Sequence, residues 1–163
     1  MGYLTKKTAD ATPKNTKMMI ENDYNDIKIV TYNFSRAIGI TKNNEIIYFL
    51  LIVDKRNNEI GYKAIHEQSG PSYYDVPLKY LNLNCENANN EWRKECKEHM
   101  AFKSKINSLK YNDIVKIWDG TVYRMLGVNF FPVQKKRGCI IMRRLDNSRL
   151  QWVRKNDINE VLS

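Results

Sequence analysis

The chain has 163 residues, 42% hydrophobic and 28% charged, which fits one globular domain or one domain plus a small module able to bury a core without covalent staples. Its longest apolar run, residues 46–53, is too short to cross a bilayer, and its three cysteines, Cys85, Cys96 and Cys139, are odd in number and too widely spaced for a disulfide framework. The net charge of +9 is uneven: residues 103–163 hold 13 basic and 5 acidic groups, a net of +8, so a nucleic acid, a membrane surface or an acidic protein is the kind of partner the C-terminal third suits.

Taken in order, residues 1–26 are polar and turn-rich. They predict an extended or loosely packed start, with a short helix near residues 18–22. Met18-Met19-Ile20 is the only early apolar cluster and falls short of a signal core, so free thiols in a reducing cytosol are expected. Residues 27–67 read as an antiparallel meander with strands at 27–30, 34–40, 46–53 and 60–66, separated by polar turns at 42–44 and 54–58. The 46–53 run has no polar face, so it predicts a central strand covered on both sides. Gly70-Pro71 stops the last strand, Pro77 holds Val76 extended, and residues 78–83 suit a short helical turn.

Residues 87–105 predict the clearest helix. Ala88, Trp92, Cys96 and Met100 recur every four residues, and His99, Lys103 and Ile106 extend the stripe. Trp92 is expected to dock this helix on the sheet. Residues 109–163 then read as a separate small β-barrel of SH3-like kind, with hairpins at 114–126 and 139–154 and a closing strand at 158–162. The predicted fold is therefore α+β: residues 1–105 form an antiparallel sheet with one docked amphipathic helix, and residues 109–163 form a small basic barrel.

Three groups of residues are candidates for chemistry. The first is a nucleic-acid or partner-binding face on the C-terminal module. Reading Asp119-Gly120 as a two-residue type I′ turn puts Lys116 opposite Tyr123 and places Lys116, Trp118, Tyr123 and Met125 on one aromatic, basic face. Lys135, Lys136 and Arg137 follow in a loop, and Arg143, Arg144, Arg149 and Arg154 come from the second hairpin. Cations neutralise phosphates and aromatics stack on bases. The alternative reading packs Trp118 and Trp152 inside the barrel and leaves the arginines solvated. The second group is metal-capable: His66, Glu67, Cys85, Cys96 and His99 show no paired ligand spacing, so neither a metal nor another cofactor is expected. The third is a polar cluster, Glu67, Tyr74 and Asp75 near His66, which would serve acid–base catalysis in a small enzyme acting on nucleic acid or a nucleotide. The alternative makes the same stretch a hydrogen-bonded corner pinning a loop to the sheet.

One resemblance bears on the setting. Gly61, Tyr62, Lys63, Glu67, Gly70, Pro71, Tyr73, Tyr74, Asp75 and Pro77, followed by Glu91, Trp92 and Arg93, resemble the pattern of an uncharacterised protein family. That family is common on bacterial phages, plasmids and integrative elements, and its members also tend to start with Met-Gly and an aromatic, as Met1-Gly2-Tyr3 does. Val76 stands where the family tends to have cysteine, which leaves no thiol role at that position. The resemblance implies a setting, a mobile genetic element in the cytoplasm of a bacterial host cell, while Gly70, Pro71, Trp92 and Arg93 are read as structural residues. It implies no reaction. The reading is then a non-enzymatic accessory protein of a phage or mobile element, binding nucleic acid, or an acidic host protein or ribonucleoprotein that handles it, with inhibition of host defence as one such role. A small enzyme and a pure protein-interaction module remain as alternatives.

Overall fold

The computed structural model describes residues 3–7, 13–33, 35–54, 56, 59–127 and 139–163. The chain forms two compact units, one up to Met100 and one from Ala101 onward. The division falls inside the long helix, whereas the sequence suggested a boundary after it.

The first unit is built on a five-stranded antiparallel sheet. Its strands are β1 (Tyr3–Lys7), β2 (Ile27–Tyr32), β3 (Arg36–Thr41), β4 (Ile46–Asp54) and β5 (Glu59–His66), in the order β1-β5-β4-β3-β2. Strands β2 to β5 are the expected meander. The first strand is an addition to it: β1 pairs with β5, Tyr3 opposite Lys63 and Lys7 opposite Glu59, at the edge the meander leaves open. A full helix, α1 (Pro13–Asp23), follows where only a short one was predicted, and Pro13 occupies the first helical position, which needs no backbone N–H.

Strand β4 is the middle of the sheet and its alternating side chains feed two cores. Ile47, Phe49 and Leu51 point to one face, where Met19 and Ile20 of α1 pack with Ile27, Ile29, Ala37, Tyr62 and Ala64. Ile46 and Tyr48 point to the other, against Ile38, Ile40, Val76, Leu81, Trp92 and Cys96. The second cover comes from a 3-10 turn at Glu67–Ser69, the short helix α2 (Leu78–Leu81) and the start of α3 (Asn90–Asn107). Trp92 docks α3 on the sheet as expected. The cover on this face ends before Leu50 and Ile52, which are exposed, so the both-sided burial holds for only the first half of the strand.

The second unit carries β6 (Ile114–Ile117), β7 (Val122–Gly127), β8 (Cys139–Arg144), β9 (Leu150–Arg154) and β10 (Ile158–Val161) in the order β10-β6-β7-β8-β9. A 3-10 turn, Lys155–Asp157, precedes the last strand. All pairings are antiparallel, and one face holds a core of Val115, Ile117, Tyr123, Met125, Ile140, Met142, Val153 and Ile158 with Ile106 from the end of α3. The α+β class stands. The barrel was expected to close, but β9 and β10 are the two edges of the sheet and do not pair among the described residues.

Candidate nucleic-acid interface

The register of the β6–β7 hairpin decides which residues face outward. Ile117 N–H donates to Thr121 O at 3.0 Å and Gly120 N–H donates to Ile117 O at 3.0 Å, so the loop has three residues, Trp118, Asp119 and Gly120. Gly120 sits at φ 85°, the left-handed position that a three-residue hairpin loop requires. Thr121 donates to the Asp119 carboxylate from its hydroxyl and from its N–H, the latter to Oδ1 at 2.8 Å, and these bonds hold the Asp119 carboxyl below its ordinary pKa. A two-residue turn was expected here. The extra loop residue slips the register by one, and a slip of one turns side chains to the opposite face. Lys116 therefore pairs with Val122, and Val115 pairs with Tyr123.

Tyr123 and Met125 are core residues as a result, not part of a binding face. Tyr123 Oη donates to Gln151 Oε1 at 2.7 Å, and burial raises the phenol above its ordinary pKa. Trp118 is 74% exposed at the hairpin tip, apart from them. Lys116 remains on the outward side, 3.8 Å from Glu160 in an ion pair. Lys135, Lys136 and Arg137 lie outside the described residues.

The β7–β8 register sets two arginines opposite each other. Ile114 pairs with Arg124, Arg124 with Arg143, and Arg143 with Leu150, so one row of the outward face crosses four strands. Trp152 and Arg154 continue that face along β9, opposite Ile141 and Cys139. Like charges directly opposite on a ladder repel. Neither Arg124 nor Arg143 has an ion-pair partner among the described residues. Arg144 is different: its guanidinium donates to Asp146, Nε to Oδ1 at 2.9 Å, which holds Asp146 below its ordinary pKa. Arg149 is exposed in the β8–β9 turn, where its N–H donates to Asn147 Oδ1 at 3.0 Å.

Arg124, Arg143 and Arg144 line a groove of about 370 Å³ together with Tyr111, Asn112, Leu126, Leu145 and Ser148. No carboxylate lines it among the described residues. Both loops that flank it hold a non-glycine residue in the left-handed region, Asn112 at φ 74° and Ser148 at φ 59°. Tyr111 and Arg124 were not among the sequence candidates. Arg124 was reachable from the sequence as an outward residue once Trp118 was counted in the loop, because the alternation along β7 then turns it away from the core; its place opposite Arg143 comes from the β7–β8 register. Tyr111 gave no signal, since it lies in a turn between elements.

Of the candidate acid–base residues, Glu67 is fully engaged in a buried hydrogen-bonded corner. Glu67 is 0% exposed, and its carboxylate accepts from Arg93 Nε at 2.7 Å, Arg93 Nη2 at 2.8 Å, Ile46 N–H at 2.8 Å and Asn89 N–H at 3.3 Å. Arg93, also buried, donates further to Leu83 O at 2.7 Å and Asn44 O at 2.8 Å. Trp92 Nε1 donates to Pro71 O at 2.7 Å, and Gly70 at φ 58° ends the 3-10 turn. Gly70, Pro71, Trp92 and Arg93 thus hold the corner together. Tyr74 and Asp75 lie half-buried against α3 instead. Asp75 Oδ1 is 3.3 Å from His99 Nε2, and the nearby Glu95 charge raises the Tyr74 phenol above its ordinary pKa. Glu67 is sealed from solvent, whereas Tyr74 and Asp75 are half-buried. His66 is exposed and 2.7 Å from Glu45 Oε1. No three metal-capable side chains converge among the described residues, and no helix among them is long and apolar enough to cross a membrane.

No protein-family model matches this chain, no curated protein matches it, and no solved structure matches it.

Proposed function

We propose that this protein is a non-enzymatic accessory protein of a phage or mobile element that binds nucleic acid, free or within a host complex, through the outward face of its second unit. The observation that carries the reading is the Arg124–Arg143 pair. Two arginines directly opposite on the ladder, lining one groove with no carboxylate among its described lining residues, repel each other and are relieved by a bound anion. The polyanion that best fits a net of +8 over residues 103–163 is a phosphate backbone. The strand order, with the last strand beside the first and a 3-10 turn before it, supports reading the unit as SH3-like in arrangement. The mobile-element setting rests on the resemblance of residues 61–77 and 91–93. The burial of Glu67 counts against the enzyme alternative.

The test is binding of labelled DNA and RNA, single- and double-stranded, by fluorescence anisotropy from about 50 to 200 mM salt. Affinity should fall steeply with salt, and Lys116→Glu with Arg143→Glu and Arg149→Glu should abolish it. Absence of binding to every probe at low salt overturns the reading and leaves the basic face as a dock for an acidic protein.

A further inference from the structure

Resting on that reading, we infer that the groove takes an unpaired nucleotide, with the base stacked on Tyr111 and its phosphate between Arg124 and Arg143. Tyr111 is 65% exposed and lines the charged groove, so its ring is open to a ligand there. Its backbone is nevertheless fixed. Lys110 N–H donates to Asp113 Oδ2 at 2.6 Å, Asp113 N–H to Lys110 O at 3.1 Å, and Asn112 N–H to Met125 O at 2.9 Å. Met125 N–H returns a bond to Asp113 O at 2.8 Å, so Asn112 and Asp113 tie the turn to β7. A ring presented on a fixed turn loses little freedom when a base stacks on it.

The shape selects the ligand. A volume of about 370 Å³ lies in the range of small-molecule pockets, not of a duplex footprint. Base-paired strands offer only base edges in their grooves, and the major groove is read by a projecting helix or ribbon. A tyrosine on the rim of a groove meets a base face only when that base is out of the stack. Stacking on an aromatic with cations tracking the backbone is how single strands are held without sequence preference. Leu126 and Leu145 on the groove walls give apolar contact for the sugar and base.

The experiment compares single-stranded DNA, single-stranded RNA and a blunt hairpin duplex, each of about 12 nucleotides. Proteins are the full chain, Tyr111→Ala, Tyr111→Phe, Arg124→Gln and Arg143→Gln, each checked for native circular dichroism. Single strands should bind about tenfold more tightly than the duplex. Tyr111→Ala should lose about tenfold on single strands and nothing on the duplex, with the salt slope unchanged, while Tyr111→Phe keeps the affinity. Each arginine variant should lower the salt slope by about one. The DNA and RNA arms show which sugar the groove accepts. Salt-dependent binding with the duplex bound as tightly, or with Tyr111→Ala unaffected, overturns this inference and leaves nucleic-acid binding standing. Loss of all salt-dependent binding overturns both.

Discussion

Arg93→Met is the sharpest test of how the first unit is held together. The guanidinium makes two hydrogen bonds to the fully buried Glu67 carboxylate and one each to Leu83 O and Asn44 O. Removing it leaves a buried charge with only Ile46 N–H and Asn89 N–H as partners. Breaking a buried pair from one side costs about 3–5 kcal/mol, and each stranded carbonyl adds on the order of 1 kcal/mol, though these do not simply add. About 4 kcal/mol is therefore expected, against a whole-domain stability of about 5–15 kcal/mol. Urea unfolding would be followed by fluorescence of Trp92, with Trp118 and Trp152 changed to Phe so that the buried indole is the sole reporter. At a slope of about 2 kcal/mol per molar urea, the midpoint should drop by about 2 M. Glu67→Met combined with Arg93→Met should recover part of that loss, because no lone charge remains, but not all of it, because the two backbone donors stay unpaired. A loss below about 1 kcal/mol for Arg93→Met would refute the reasoning.

Other outcomes follow from local geometry. Gly39→Ala should destabilise the first unit by about 1–3 kcal/mol in the same urea assay, since a Cβ there would sit 2.6 Å from Ile27 Cγ2 and 2.9 Å from Phe49 Cε2. Gly120→Ala has open space but a φ of 85°, so it should cost about 1 kcal/mol and lower the melting temperature of the second unit by roughly 4–8 °C. Burial pushes the Cys96 thiol from its ordinary 9.0 up to about 12 and raises the Tyr62 phenol as well. The unfolded chain gives up these protons first, so the stability they support is complete below about pH 9 and declines above it. Urea midpoints at about pH 8 and pH 10.5 should fall more for the native chain than for Cys96→Ala. At about pH 8, iodoacetamide should label the half-buried Cys85 and Cys139 but spare Cys96 in the folded protein.

The parts of this fold that the sequence discloses are those whose pattern is local. Strands β2 to β5 carry β-branched runs between polar turns, and α3 shows its Trp92–Cys96 stripe, so each is legible without its neighbours. Strand β1, with the sequence Tyr-Leu-Thr-Lys-Lys, has no such pattern, and it is a strand because β5 offers an unpaired edge. The hairpin at Trp118–Gly120 shows how one local choice spreads. Both turn readings use Asp119-Gly120, but they differ by one loop residue, and that residue moves Tyr123 from the surface to the core. The Glu67–Arg93 pair spans 26 positions, and the sequence showed its members without showing their distance. Tyr111 was invisible because exposure on a fixed turn leaves no periodicity to read.

Synthesis and pairing run in opposite directions at the edge of the first sheet. Strand β1 leaves the ribosome before the rest of its sheet, yet its partner positions on β5 arrive about 50 to 60 residues later, Lys63 for Tyr3 and Glu59 for Lys7. The hairpins among β2 to β5 close over short loops, while β1 has the long loop to close and is slow to join. Until it does, the outer edge of β5 is an open template for any other extended chain. Because β1 is the edge strand on this side, the backbone amides of β5 that face β1 should exchange hydrogen sooner than those facing β4.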